Sequence, residues 1–139
     1  MKIISSIGLA LLSLATVTGN TALAGGDASN GKEVFNKCKA CHSLKVGRNK
    51  AGPSLARIYG KTAGTVEGYR YKGLKGADWI WDEANLDGWI ENPKKWLKAK
   101  MGKKWPKSKM SYKLKNTKKD PRRRADLIEY LKTLVVEEK

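Results

Sequence analysis

The sequence predicts an all-α domain, and three observations carry that prediction. No segment alternates polar and apolar residues over the length of a strand, apolar residues recur at helical spacing near the C-terminal end, and residues 43–80 are rich in glycine with no sustained period. With 139 residues, 40% of them hydrophobic, the chain suffices for one small globular domain rather than a disordered tail.

Along the chain, the first element reads as a processing signal. Lys2 is followed by an apolar run from Ile3 to Val17, and Ala22-Leu23-Ala24 has the small-x-small pattern of a cleavage site. The run is shorter than the roughly 20 residues of a spanning helix. Residues 1–24 are therefore expected to be removed and 25–139 to form a single domain, exported to an oxidising compartment, the periplasm. A first helix opens at Asp27, Ser29 or Asn30, any of which can cap it, and carries Val34 and Phe35 inward as far as Cys38. Between Ser43 and Ile80 the seven glycines predict loop, with one helical turn at Ser54 to Tyr59. A second helix begins at Asp82, places Leu86, Trp89 and Ile90 on one face, and is closed by Asn92-Pro93. A short Lys-rich helix carries Leu97 and Met101. The last helix is capped by Asp120 with Pro121 at its first position, and Leu127, Tyr130, Leu131, Leu134 and Val135 form its apolar face.

Helices this short, joined by loops this long, bury too little on their own to offset the entropy of ordering them. Cys38-Lys39-Ala40-Cys41-His42 names what fills the middle. In C-x-x-C-H the two thiols add across the vinyl groups of a haem, and the adjacent imidazole is placed to ligate the iron. A thiol oxidoreductase is the competing use of C-x-x-C, but the βαβ pattern that accompanies it is missing. Two Cys and one His also exclude a four-ligand zinc site, an iron–sulfur cluster held by four thiolates, and a bis-histidine haem. A sixth ligand must then come from Met101 or Met110, or the position is open and the haem binds small ligands or turns over peroxide. Met101, four residues after Leu97, reads as a packing residue. Met110 lies in a loop with no apolar period around it, where ligands are commonly found.

The chain resembles the class I c-type cytochromes, close to bacterial cytochrome c2 and cytochrome c550. The resemblance rests on Gly31 and Phe35, Cys38 to His42, Gly52-Pro53-Ser54-Leu55, residues 63–69, Trp81, Glu91-Asn92-Pro93-Lys94-Lys95, Lys107-Ser108-Lys109-Met110, and Leu127 to Leu131. It implies the class I cytochrome c fold, three to five short helices and long loops around one covalently bound haem c, with the N-terminal helix crossing the C-terminal one. It implies Cys38 and Cys41 as the thioether residues, His42 and Met110 as axial ligands, and no catalytic residues, since a carrier of electrons is not an enzyme. It further implies that the Pro53 carbonyl accepts the outer N–H of His42, that Tyr71 and Trp81 bond a haem propionate, and that Ser108 helps hold that propionate and the methionine loop. Lys61 stands where relatives often have Arg, and Trp89 where a Tyr hydroxyl usually bonds the methionine sulfur. The stretch from Pro93 to Met110 is longer than in mitochondrial relatives.

Charge indicates the partners. The formal net charge is +16, and the 26 residues from Lys94 to Lys119 hold 12 Lys and no acid. Part of this run is a solvated face. The resemblance implies that Lys37, Lys94, Lys95, Lys109, Lys113 and Lys115 ring the haem edge and steer acidic faces of membrane redox complexes, a cytochrome bc complex and an oxidase or photosynthetic reaction centre, toward a monomeric carrier. Trp96, Trp105 and Tyr112 among the lysines have the look of a nucleic-acid surface. Export argues against that, and Tyr112, two residues after Met110, is better used covering the haem edge.

Overall fold

Asp27 opens the first helix because its carboxylate accepts the N–H groups of Ser29 (2.7 Å) and Asn30 (3.1 Å), donors that no helical carbonyl can reach. A computed structural model describes residues 25–135; the expected signal segment, residues 1–24, lies outside the described residues. The first helix, α1, is Ala28–Phe35, and the chain leaves it in further turns, with Cys38 N–H on the Phe35 carbonyl (2.8 Å) and His42 N–H on the Cys38 carbonyl (2.9 Å). Helix α2, Glu83–Glu91, is capped by Asp82, which accepts the Asn85 N–H (2.8 Å). Asn92 ends α2 and caps α3, Pro93–Met101, by accepting the Lys95 N–H (3.1 Å). Pro93, unable to continue α2, thus serves as the first residue of α3. Helix α4 is Arg123–Thr133. The all-α expectation holds, and the described residues add one isolated antiparallel bridge, Thr62 to Ile80, which brings Trp79 and Trp81 beside the glycine-rich loop.

Two local expectations are corrected. Asp120 does not cap α4. It closes a turn with Thr117 (3.0 and 3.2 Å), so the helix starts after Pro121, and Asn116, eight residues earlier, accepts the Arg124 N–H (3.1 Å). Correspondingly Ile128, 1% exposed, joins Leu127 and Leu131 on the buried face, while Val135 falls beyond the helix and is 41% exposed. The turn at Ser54 to Tyr59 is not helical: Arg57 adopts a left-handed conformation (φ 54°), and the one short 3-10 turn among the described residues lies at Lys72–Leu74 instead.

The two end helices cross where Gly31 has no side chain. A Cβ there would run into the Asp126 carbonyl and the Tyr130 Cβ, so only glycine permits the approach. Phe35 packs its ring on Tyr130 (centroids 5.5 Å), and the buried Asp126 carboxylate accepts the Asp27 N–H (2.7 Å), locking the start of α1 onto α4. Helix α2 joins α4 through Arg124, whose guanidinium grips both Asp87 oxygens (2.7 and 3.3 Å), and through Lys132, which bridges Glu83 (3.0 Å) and Glu129 (2.6 Å). Gly88 leaves room on α2 for the Trp96 ring of α3. These contacts form a helical frame, and the loops from residue 36 to 82 close over its inner face.

Candidate functional site

The Cys-Lys-Ala-Cys-His segment leaves α1 with Cys38 half-buried and Cys41 exposed. Burial, with the neighbouring Cys41, pushes the Cys38 thiol up to about 11. That is the reverse of the depressed thiolate on which a dithiol oxidoreductase depends. The His42 imidazole places Nδ1 2.7 Å from the Pro53 carbonyl, which can only accept, so Nδ1 carries the proton and Nε2 keeps its lone pair for a metal. Burial, and secondarily the Lys50 charge, lowers its pKa against the pull of the Pro53 carbonyl, and the neutral imidazole that results is the ligating form.

The loop behind this ring is built to approach it. A Cβ on Gly52 would sit 2.5 Å from His42 Cε1 and 2.8 Å from Nδ1. Gly52 N–H donates to the Cys41 carbonyl (2.8 Å), Asn49 accepts the Ser54 N–H (2.8 Å), and the Tyr69 hydroxyl donates to the Ala51 carbonyl (2.6 Å). Asn49 was not singled out from the sequence; Gly52 and Tyr69 belong to the segments that carry the family resemblance, but their holds on the His42 ring and the Ala51 carbonyl were not expected.

Cys38, Cys41, His42 and Met110 all line one cavity of about 390 Å³. Its other walls are apolar and aromatic, Leu55, Ile58, Leu86 and Leu131 with Tyr71, Trp81 and Trp89 among them. Size and lining are those of a cofactor site, and the donor set of two thiols, one neutral imidazole and one thioether matches a covalently held haem. Met101 does not line the cavity but packs at the edge of the core.

The loop bearing Met110 hangs from Tyr71. The phenol oxygen accepts N–H groups from Lys109 (2.8 Å) and Met110 (3.1 Å) and donates to Ser108 Oγ (2.8 Å), which donates in turn to the Met110 carbonyl (2.9 Å). Trp89 packs edge-on against Tyr71 (5.8 Å) and Trp81 (5.3 Å). Of the lysines expected around the site, Lys37 and Lys109 line the cavity, Lys109 lying over the Tyr69 ring (5.1 Å). Lys94, Lys95, Lys113 and Lys115 are exposed and are not among the residues lining the cavity. The aromatics of the basic run separate: Trp96 is half-buried, Tyr112 lines the cavity, and only Trp105 stands fully out.

A sequence profile of the family described as Cytochrome c matches residues 28–135, from the first residue of α1 to the end of the described chain. The chain belongs to the cytochrome c family. It is 40% identical over 112 residues to "Cytochrome c" of Euglena viridis, covering 78% of this chain and 98% of that protein. It is 38% identical over 133 residues to "Cytochrome c-550" of Paracoccus versutus, covering 86% and 84%. Among solved structures, that of cytochrome c2 from Paracoccus denitrificans superposes with a TM-score of 0.69 at 32% identity, covering 79% of this chain and 97% of that one. The expected class I cytochrome c fold and the likeness to cytochromes c2 and c550 are thereby met. This cytochrome c is an electron carrier of the c2/c550 kind, not an enzyme, and its cofactor is a covalently attached c-type haem. When bound, that group supplies a one-electron ferric/ferrous couple.

Proposed function

We propose that this cytochrome carries single electrons through the periplasm between membrane complexes, with Cys38 and Cys41 as the thioether residues and His42 and Met110 as axial ligands. The observation that supports it is the shared cavity: the four residues line it together, and Met101 does not. A methionine thioether stabilises the ferrous state and closes the site to substrates, as suits a carrier. The removed leader, residues 1–24, accounts for delivery to that compartment. The cytochrome acts as a monomer, receiving electrons from a cytochrome bc complex and passing them to an oxidase or a reaction centre. Lys37, Lys94, Lys95, Lys109, Lys113 and Lys115 steer it to their acidic faces, so transfer rates fall as salt screens charge over ~8–10 Å at 0.1–0.15 M ionic strength.

Optical spectra of the purified holoprotein test the ligand set. The weak far-red sulfur-to-iron band should survive Met101→Ala and vanish in Met110→Ala. A wild type that lacks the band and binds carbon monoxide readily in the reduced state has an open sixth position, and the carrier reading of the site fails.

A further inference from the structure

Trp105 is 78% exposed, more than any other large hydrophobic residue described. Its exposure is held in place rather than left over. The loop that carries it begins where Gly102, in the left-handed conformation (φ 60°), stops α3, and it ends on buried Pro106. Beyond Pro106, the Lys107 carbonyl packs against Gly73, so closely that a Cβ there would overlap it, and Ser108, Lys109 and Met110 are all bonded through Tyr71. Between these two anchors the indole stands in solvent. Lys103, Lys104 and Lys107 flank it, all exposed, and no acidic residue occurs between Lys94 and Lys119.

We infer that Trp105 is the apolar anchor of the docking face: it enters a pocket on the redox partner whose rim is carboxylate-rich and faces Lys103, Lys104 and Lys107. This rests on the carrier reading above and specifies the partner's surface chemistry. An indole supplies a large, rigid contact at little entropic cost, and charged neighbours at the rim set the rate of encounter. The two parts act separately. The lysines govern how fast the complex forms and how that rate depends on salt; Trp105 governs how long it lasts.

The test follows oxidation of the ferrous holoprotein by detergent-free membranes of the source organism, at 0.02, 0.15 and 0.5 M ionic strength. Wild type, Trp105→Ala, Trp105→Phe and the pair Lys103→Glu with Lys104→Glu are compared. Trp105→Ala should raise the half-saturating concentration about tenfold at every ionic strength, with saturated turnover and salt slope unchanged and Trp105→Phe in between. The glutamate pair should slow the reaction chiefly at low salt and flatten its salt dependence. Unfolding midpoints and reduction by ascorbate, the same in all four, confirm that the site itself is intact. Trp105→Ala within twofold of wild type throughout overturns the inference while leaving the carrier reading standing. So does a loss reproduced in binding to protein-free vesicles of the same membrane lipids, which makes the occupant lipid. If wild type is not oxidised at all, the carrier reading falls and the inference with it.

Discussion

Replacing Gly52 by Ala adds one methyl group against the ligand imidazole. Gly52 lies outside the left-handed region that favours glycine, so the perturbation followed is the steric one. The new Cβ would lie 2.5 Å from His42 Cε1, 2.8 Å from Nδ1 and 3.0 Å from Nε2, whereas carbon atoms in contact rest at about 3.5–4.0 Å. The ring must therefore retreat by about 1 Å. Its 2.7 Å bond to the Pro53 carbonyl cannot survive that displacement unless the loop moves with it. Overpacking costs about 1–3 kcal/mol and a lost hydrogen bond about 1 kcal/mol, so Gly52→Ala should destabilise the holoprotein by about 2–4 kcal/mol. Denaturant unfolding measures this, and the reduction potential should shift as well, because the carbonyl that holds the imidazole proton has lost its grip. Gly47→Ala is the control: its φ of 72° is left-handed but a Cβ there meets nothing, so about 1–2 kcal/mol should be lost with the potential unchanged. Stability within 0.5 kcal/mol of wild type and an unmoved potential in Gly52→Ala would refute the close-approach argument.

Three further outcomes are expected. Tyr71→Phe strands the Lys109 and Met110 N–H groups and should cost about 2–4 kcal/mol, with the far-red band lost at lower denaturant than in wild type. Gly31→Ala gains about 1 kcal/mol of helix propensity but forces α1 off α4, so a net loss of about 2 kcal/mol should appear as a lower urea midpoint; a gain would show that the crossing yields easily. The Ser29 hydroxyl, with the Asn30 and Ser29 amides, holds the Asp27 carboxyl below its ordinary value. A depressed carboxyl stabilises above its unfolded pKa of ~3.9 and loses that contribution as pH falls through its folded value, so urea midpoints of Asp27→Ala and wild type should differ at pH 7 and converge toward pH 2.

What could be read in advance divides by range. The candidates Cys38, Cys41 and His42 are a matter of residue type and spacing, Met110 was preferred to Met101 on its loop placement and on resemblance, and α2 announced itself through Asp82, Leu86, Trp89 and Ile90 within nine residues. The start of α4 was misplaced because the side chain that accepts its Arg124 N–H, Asn116, reaches across eight residues and a turn, whereas Asp120-Pro121 has the local form of a cap. Gly52 stands out among the seven glycines between residues 43 and 80 only as part of a Gly-Pro pair matched by resemblance; that it lies beneath an imidazole is a product of the fold. Tyr71 was assigned to a propionate by resemblance; its hold on a loop 37 to 39 residues away is a product of folding that spacing does not contain.

The clasp of α1 by α4 also bears on the order in which the chain is made. Asp27 and Asp126, 99 residues apart, are bonded to each other, and Gly31 and Phe35 find their partners only in the last helix. A chain that has emerged N-terminus first as far as Arg122 contains every residue lining the cavity except Leu127 and Leu131. At that stage the segment bearing Cys38 and Cys41 is complete, while Gly31 and Phe35 still lack their partners in α4, so attachment chemistry at the cysteines does not wait on the clasp. A premature stop before Arg123 should therefore yield a chain that takes up its cofactor and is then degraded.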